Sequence, residues 1–219
     1  MAIKQQVEIV KESLKDFSNV KVVAAGKYFN VEETRAIYNA GITDIGENRK
    51  EILLEKMEQL KDLDITWHYF GVIKIPPKLN SQFIDSIDYL HSLDSIDLAN
   101  AINKTRKKDA PLKCFVYVNI TGEKNKAGLD ESKVISFIKS LAKYQNIQVV
   151  GLMTTGKNTF DEEISASYFD AMVALQKEVQ SLNIPNVPCT ELSMGMSNDY
   201  KVAVKHGSTF VRLGTILTK

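Results

Sequence analysis

The chain has 219 residues, of which 44% are hydrophobic and 25% charged, and its 28 basic and 27 acidic residues give a formal net charge of +1. This composition is typical of globular proteins and provides no charge excess for binding nucleic acid or an anionic membrane surface. No apolar run approaches the roughly 18 residues that a membrane span requires. The first residues have the period of an amphipathic helix rather than the pattern of a signal peptide, so we expect a cytoplasmic protein.

Short apolar segments alternate with segments of helical period along the chain. After the N-terminal helix, eight segments are predicted as strands: Val20–Ala25, Thr43–Ile45, Thr66–Phe70, Tyr89–Ser92, Lys113–Ile120, Ile147–Met153, Thr190–Ser193 and Thr209–Leu213. Two cysteines, Cys114 and Cys189, lie in apolar surroundings without metal-ligand spacing, and we expect both to be reduced core residues.

Helix signals lie between these strands. Asn30 is placed as an N-cap, Glu33 completes a capping box and Gly41 stops the helix. Asp130 is placed to cap a later helix. The other helical segments are Glu47–Leu60, Ser95–Thr105, a long helix with its stripe at Ile164, Tyr168, Met172, Leu175, Val179 and Leu182, and a short one at about Asp199–His206.

Alternating strands and helices predict parallel pairing, because each return needs about a dozen residues. Eight such units in one chain favour a closed (β/α)8 TIM barrel over an open doubly wound sheet, which stays the alternative. The fold class is therefore α/β, with the N-terminal helix as an addition to the barrel. No linker or repeat divides the chain, so residues 1–219 are predicted to form one domain.

A barrel builds its active face at the C-terminal ends of its strands. Lys27 comes just after the first strand, and the simplest interpretation is that it is a surface lysine in a loop. At a barrel mouth it can instead be partly desolvated, which lowers the pKa of a lysine and frees the amine to attack a carbonyl. Gly26 beside it could leave room for a flat ligand.

The last two predicted strands end in loops of the kind that hold phosphate in barrels. Ser197 is placed to cap the helix that follows the seventh strand, and a helix N-terminus favours an anion. Gly214 allows close backbone approach, and Thr215 offers a hydroxyl. Ordinary caps and turns explain each loop alone. Both loops opposite a lysine favour pyridoxal 5′-phosphate, which needs an amine at one end and an anion site at the other.

The chain resembles the pyridoxal phosphate homeostasis proteins, also called proline synthetase co-transcribed homologues, over nearly its whole length. The resemblance rests on "VVAAGK", "GEN", "WHYFG", "NITGEKNKAGL", "GLMT", "LSMGMSND" and "GSTFVRLGT" in this order. It implies a barrel of the alanine-racemase type without that enzyme's second domain.

Carried over by position, the resemblance implies that Lys27 forms a Schiff base with the cofactor and that Arg212 faces the pyridine nitrogen. The phosphate would be held by Ser197, Gly214 and Thr215, and the pocket would be lined by Asn48, His68 and Met194. Other motif residues receive structural roles or stay open between pocket and bracing: Ser208, Thr209, Trp67 and His206 in the first group, Asn119 and Lys126 in the second.

Two departures from the family pattern stand out. Gly26 occupies the position of a family serine, and the segment Val72–Asn80 replaces the usual residues after the third strand. Lys78 could substitute for a family lysine there only with a shift in register. These departures put any function of the loop after the third strand in doubt, but they leave the prediction of cofactor binding unchanged.

An arginine beside the pyridine nitrogen keeps the ring a weak electron sink. Racemases tolerate such an arginine but use two bases, and no second base is visible in this sequence, so we expect a non-enzymatic carrier that supplies or buffers pyridoxal phosphate, with apo-enzymes that use this cofactor as recipients. We expect a monomer, because no unusually apolar surface helix is evident. A small amino-acid racemase that depends on the same cofactor is the alternative. A barrel enzyme acting on a phosphorylated sugar is a third interpretation.

Overall fold

The computed structural model describes residues 2–74, 79–157, 159 and 161–218. Lys78 and part of the divergent segment after the third strand lie outside the described residues. In the described part, the strands are β1 Lys21–Ala25, β2 Asp44–Glu47, β3 Thr66–Tyr69, β4 Tyr89–Leu93, β5 Leu112–Asn119, β6 Leu129–Asp130, β7 Ile147–Met153, β8 Glu191–Met196 and β9 Phe210–Leu213.

Eight of these strands close into a parallel barrel. Their order is β1-β2-β3-β4-β5-β7-β8-β9, and β6 adds a two-residue pairing to β5. The barrel closes where β1 pairs with β9, with Lys21 opposite Phe210 and Ala24 opposite Leu213. The predicted (β/α)8 fold, with its additional N-terminal helix, is confirmed.

Helices surround the barrel. They are α1 Ala2–Ser13, α2 Val31–Asn39, α3 Lys50–Gln59, α4 Ser81–Ser86, α5 Ile96–Thr105, α6 Glu131–Leu141, α7 Glu162–Ser181 and α8 Tyr200–Lys205. The capping box of α2 is confirmed, because the Asn30 side chain accepts from the Glu33 N–H and the Glu33 carboxylate accepts from the Asn30 N–H. Gly41 follows α2 with φ of +94°, as a helix stop requires. Asp130 occupies the N-cap of α6, but its side chain makes no capping bond.

The buried apolar residues form two separate clusters, one on each side of the barrel wall. Outward-facing strand residues pack with the helices in the larger core, while the barrel interior holds a smaller cluster: Val23, Tyr89, Phe115, Tyr117, Val150, Met153 and Phe210. In α7 the buried face is offset from the expected stripe, since Ser165 and Phe169 are buried while Ile164 is exposed. Cys114 and Cys189 are buried and unpaired, as expected.

Across the described ranges, none of the helices combines the length and the apolar character that crossing a membrane would require.

Candidate functional site

A cavity of about 420 Å³ opens at the C-terminal ends of the barrel strands. That volume is in the range of sites for small ligands and cofactors. Six of the eight expected site residues line it: Lys27, Asn48, Ser197, Arg212, Gly214 and Thr215. The structure thus brings residues from the ends of β1, β2, β8 and β9 together at one cavity, and the roles of these residues stay predictions.

Lys27 lies in a short 3-10 turn, Gly26–Tyr28, that continues β1. Its side chain is exposed, with Nζ 4.8 Å from the centroid of the Tyr28 ring. The expectation that Lys27 is partly desolvated is therefore wrong. The turn carries Lys27 onto the open rim of the cavity, where water and a ligand both reach the amine.

Lys56 of α3 fixes the backbone on both sides of Lys27. Its Nζ donates to the carbonyl oxygens of Gly26 and Phe29, both at 2.7 Å, and to Glu47 Oε1 at 2.6 Å. An ammonium group has three N–H donors, so all are used. Lys56 and Glu47 are buried, with side-chain exposures of 6% and 1%. A buried ion pair thus anchors the turn that presents the exposed lysine.

Gly26 does not leave room for a ligand, contrary to the expectation. A Cβ at this position would stand 2.3 Å from Glu47 Oε1, so the carboxylate occupies the space of a side chain. Gly26 is itself buried and is not among the residues lining the cavity. The glycine is required because the Glu47–Lys56 pair approaches β1 closely.

Arg212 of β9 forms the inner wall of the cavity and is only 6% exposed. Its Nη1 donates to the carbonyl oxygen and the hydroxyl of Ser193, and its Nη2 donates to the carbonyl oxygen of Thr154. A guanidinium has five N–H donors, so two remain without a partner in the described part of the chain. Burial lowers the pKa of Arg212 to about 10, which leaves it protonated at neutral pH.

Ser197 joins the two loops that were expected to bind phosphate. Its Oγ accepts from the backbone N–H groups of Gly214, at 3.2 Å, and Ile216, at 3.3 Å. The expectation that Ser197 caps α8 is wrong, because Asp199 occupies the N-cap and Ser197 is bonded to the other loop instead. The Ser197 hydroxyl keeps its own proton for a ligand oxygen.

Gly214 is required by a close approach, although of a side chain rather than of a ligand. A Cβ there would stand 2.2 Å from Cδ2 of the Tyr28 ring. Tyr28 therefore packs across the end of β9 and connects the lysine turn to the loop that follows β9. Thr215, the next residue, is exposed at the cavity.

Asp199 adds a carboxylate to the cavity. Its Oδ1 accepts from the Met196 N–H at 2.6 Å. Burial raises the pKa of Asp199, and the Met196 N–H and the positive charge of Arg212 lower it in part. This carboxylate was not identified from the sequence, where "SND" was interpreted as the start of a helix.

Two expected pocket residues, His68 and Met194, lie elsewhere. Both are fully buried, and neither lines the cavity. His68 faces the barrel interior below the cavity, bonded to Asp44 and His91. Met194 is on the opposite face of its strand from Ser193 and packs outside the barrel in the larger core. Because strand residues alternate between faces, Ser193 rather than Met194 points inward.

The remaining motif residues have structural contacts. Trp67 is buried in the core, and His206 ends α8 and bonds to Asp170. Asn119 donates to the carbonyl oxygen of Glu123, and Lys126 pairs with Glu123 and donates to the carbonyl oxygen of Gly156. Ser208 donates to the carbonyl oxygen of Met194 and Thr209 accepts from the Leu192 N–H, below the cavity. Asn119 and Lys126 therefore brace the loop after β5.

Several lining residues received no individual role in the sequence analysis: Tyr28, Phe70, Thr155, Lys157, Met196 and Asn198. Each lies at or beyond the C-terminal end of a barrel strand, and that position alone is the signal that could have identified them. Phe70 has a further mark, because its ring fills the space of a Cβ at Gly46. A glycine next to an aromatic residue on the neighbouring strand is visible only after the strands are paired.

The donor set fits a ligand with a carbonyl, a ring acceptor and an anionic group. Lys27 supplies a reachable amine, and Arg212 supplies two unused N–H groups at the inner wall. Ser197 and Thr215 supply hydroxyls at the loops beyond β8 and β9. This set matches the chemistry of pyridoxal phosphate, which has an aldehyde, a pyridine nitrogen and a phosphate.

Comparisons with known proteins point in the same direction. Residues 2–219 match the family model described as "Alanine racemase, N-terminal domain". The chain is 34% identical over 198 residues to the pyridoxal phosphate homeostasis protein of Aquifex aeolicus, covering 90% of this chain and 85% of that protein. It is also 34% identical over 209 residues to the human protein of the same name, covering 90% and 75%.

Solved structures agree with the sequence comparisons. PipY of Synechococcus elongatus superposes with a TM-score of 0.89 without PLP, at 29% identity, covering 99% of this chain and all of that one. The same protein with PLP bound gives a TM-score of 0.87 at 27% identity. Alanine racemase of Corynebacterium glutamicum, at 18% identity, gives 0.73 over 99% of this chain and 60% of that enzyme, and it shares the barrel fold.

Proposed function

This chain belongs to the pyridoxal phosphate homeostasis proteins, within the wider alanine racemase N-terminal domain family, and on that premise we propose that it binds pyridoxal phosphate. Lys27 holds the cofactor covalently, and the protein acts as a carrier or buffer rather than as an enzyme. The observation that carries the proposal is the position of Lys27 and Arg212 on one cavity, with Ser197 between the two closing loops.

Each residue has a distinct task. Lys27 provides the amine that captures the aldehyde, and the anchored turn keeps that amine at the rim. Arg212 donates to the ring nitrogen with an N–H group that no described residue uses. Ser197 and Thr215 donate hydroxyls to the phosphate, and Asn48 lines the rim near Lys27.

Arg212 favours storage over catalysis. When bound, pyridoxal phosphate supplies an electrophilic carbon and a ring that withdraws electrons most strongly when its nitrogen is protonated. A guanidinium donates a hydrogen bond and remains protonated at neutral pH, so Arg212 holds the ring nitrogen as an acceptor. The site therefore retains the cofactor while activating a bound amino acid only weakly.

Exposure of Lys27 suits release. A second amine, such as a lysine of an apo-enzyme or a free amino acid, can approach the rim because the Lys27 side chain is open to water. A buried lysine would retain the cofactor but deny access to a recipient. We infer that cofactor leaves by exchange at this open rim.

The test is capture of the cofactor at a defined lysine. The wild-type protein is incubated with pyridoxal phosphate, reduced with borohydride and digested, and peptide masses locate the adduct. We expect the adduct on Lys27, its loss in Lys27→Ala, and no change in Lys205→Ala, whose exposed lysine lies at the end of α8 remote from the cavity. An adduct spread over many lysines, or unchanged in Lys27→Ala, contradicts the proposal.

A second measurement separates the carrier from a racemase. The loaded protein is incubated with L-amino acids in deuterated water, and exchange at Cα is followed by NMR. A carrier gives no exchange above that of free pyridoxal phosphate at the same concentration. Exchange that is faster than this reference and is lost in Lys27→Ala would assign an enzymatic function instead.

A further inference from the structure

A line of hydrogen bonds crosses the barrel interior from β2 to the cavity. Asp44 Oδ1 lies 2.9 Å from His68 Nε2, His68 Nδ1 lies 2.8 Å from His91 Nε2, and His91 Nδ1 lies 2.9 Å from Ser193 Oγ. The Ser193 hydroxyl accepts from Arg212 Nη1 at 2.6 Å. We call these five residues the barrel relay, and they come from five different strands.

The interior of the barrel relay is shielded from solvent. His68, His91 and Ser193 are 0% exposed. The Tyr89 ring stacks on His68 at 4.6 Å between centroids, and the Phe115 ring stacks on His91 at 4.4 Å. A donor or acceptor that loses its partner in such surroundings cannot be compensated by water, so every hydrogen bond in the line is strongly favoured.

The two ends of the relay impose a direction. Arg212 can only donate, and an ionised carboxylate such as Asp44 can only accept. Burial raises the pKa of Asp44, but the hydrogen bond from His68 and the nearby charges outweigh it, so the pKa lies below its ordinary value. Asp44 is therefore ionised at neutral pH and takes the N–H of His68.

The histidines between them are neutral. Burial lowers the pKa of His68 despite the bond to Asp44, and burial with the charges of His68 and Arg212 lowers that of His91 well below its ordinary value. A neutral imidazole has one N–H and one acceptor nitrogen. Since His68 donates from Nε2 to Asp44, its Nδ1 must accept from His91 Nε2, and His91 Nδ1 must accept from the Ser193 hydroxyl.

We propose that Asp44, His68, His91 and Ser193 form a one-way hydrogen-bonded chain that orients Arg212 at the cavity. All four are positioning residues, because only Arg212 reaches the cavity. The Ser193 oxygen, whose proton is donated to His91, accepts from Arg212 Nη1 and so fixes the guanidinium. The effect of this orientation on the cofactor rests on the proposed function. The remaining N–H groups of the guanidinium are thereby left for the ring nitrogen.

Other charged groups face the far end of the relay. Lys21 of β1 places Nζ 5.3 Å from the Phe210 ring and 5.9 Å from the Tyr89 ring, and Lys113 of β5 lies over the same Tyr89 ring at 5.0 Å. Asp88, just before β4, accepts from the Trp67 N–H. The positive charge of Lys21 favours the ionised form of Asp44, which keeps the acceptor end of the chain in place.

The first test uses the cofactor-free protein and needs no variant. The chain has only three histidines, and long-range ¹⁵N–¹H NMR distinguishes their tautomers. We expect His68 and His91 to be neutral with the proton on Nε2 at neutral pH. His206 is an internal control, because its Nδ1 rather than its Nε2 contacts a carboxylate, that of Asp170. A charged form or an Nδ1–H tautomer at His68 or His91 overturns the proposal.

The second test measures transmission along the chain. Asp44→Ala should shift the ¹⁵N signals of His91 as well as those of His68, although His68 is the histidine that is hydrogen-bonded to Asp44. The matched control Asp170→Ala removes the carboxylate partner of His206 and should shift His206 alone. A response confined to His68 in Asp44→Ala overturns the proposal.

The third test links the chain to the cofactor. In Asp44→Ala loaded with pyridoxal phosphate, we expect the adduct on Lys27 to persist while the visible absorbance band moves relative to wild type. An unmoved band overturns the effect on Arg212. If the wild-type protein forms no adduct at all, the proposed function is wrong. The histidine tautomers measured in the cofactor-free protein still test the direction of the hydrogen bonds in the barrel relay independently.

Discussion

Two buried polar arrangements support opposite sides of the cavity, and they are built differently. The Lys56–Glu47 pair buries two charged groups that touch each other, and it fixes backbone carbonyls around Lys27. The barrel relay separates its charged ends, Asp44 and Arg212, by neutral groups, and it fixes a side chain. Under the proposed function, the flexible Lys27 that captures the cofactor needs a rigid turn, while Arg212, which donates to the ring nitrogen, needs a rigid orientation.

The two arrangements also differ in how completely they are satisfied. Glu47 Oε2 is buried without a hydrogen-bond partner in the described part of the chain, while both ring nitrogens of His68 and of His91 are partnered. The ion pair therefore depends on a single short contact to balance its burial. Breaking it should cost more than breaking a neutral link of the relay.

The largest expected effect is on the ion pair. Lys56→Met leaves Glu47 buried and uncompensated and frees two carbonyl oxygens, so we expect the free energy of unfolding to fall by about 3–5 kcal/mol in urea titration. Lys61→Met is the matched control, because Lys61 pairs with Glu58 at the same 2.6 Å distance but at side-chain exposures of 73% and 74%. Its unfolding midpoint should stay close to wild type. Equal losses in both variants would refute the distinction between buried and exposed pairs.

A smaller effect is expected from crowding the same pair. Gly26→Ala places a Cβ 2.3 Å from Glu47 Oε1, which forces the carboxylate away from Lys56. We expect a loss of about 1–3 kcal/mol in the free energy of unfolding. Gly156→Ala serves as the control, since its Cβ would meet only Asp199 Oδ2, at 3.7 Å. If Gly26→Ala unfolds at the wild-type urea midpoint, the turn accommodates the added methyl group without loss of stability, and the claim that Glu47 requires a glycine here is wrong.

The relay should respond to the loss of one neutral link. Ser193→Ala removes the donor to His91 Nδ1 and one acceptor of Arg212, and we expect a loss of about 2 kcal/mol on thermal or urea unfolding. The control Ser136→Ala deletes an exposed hydroxyl that donates within α6. A change in Ser193→Ala no greater than in this control would show that the buried link contributes nothing.

The smallest expected effect is a pH dependence that belongs to the relay. The folded pKa values of His68 and His91 lie below their ordinary value of about 6.5, so the unfolded chain takes up protons first as the pH falls. Stability should therefore decrease below about pH 6.5, by up to about 1.4 kcal/mol per pH unit for each histidine until the folded pKa is reached. The contribution of Asp44, whose folded pKa is lowered, is lost only at still lower pH, below about 4.

Urea titrations at several pH values measure this slope. His206→Gln should retain most of it, because His206 is partly exposed with a side-chain exposure of 29%. Stability that does not change between neutral and mildly acidic pH would contradict neutral buried histidines.

The sequence predicted the barrel because its signals are local. Each strand is a short apolar run, and each connecting segment has the period of a helix. Asn30 and Glu33 form a capping box within four residues of sequence. The position of Lys27 and Gly214 at the rim was predicted for the same reason, since both lie just after the ends of their strands. These features need no knowledge of which strands become neighbours.

The interior of the site could not be predicted in this way. Whether Met194 or Ser193 faces inward depends on strand register, and a shift of one residue exchanges the faces. The tie between Ser197 and the Gly214 N–H depends on the exact approach of two loops. The barrel relay requires closure of the whole barrel, and Gly26 is explained only once Glu47 is placed beside it.

The central claim is that Lys27 and Arg212 bind opposite sides of one pyridoxal phosphate molecule. A crystal structure of the protein after incubation with the cofactor tests it most directly. We expect continuous density from Lys27 Nζ into the cavity, the ring nitrogen within hydrogen-bond distance of Arg212, and the phosphate at Ser197 and Thr215. Cofactor attached to another lysine, or a ring nitrogen turned away from Arg212, would contradict the account.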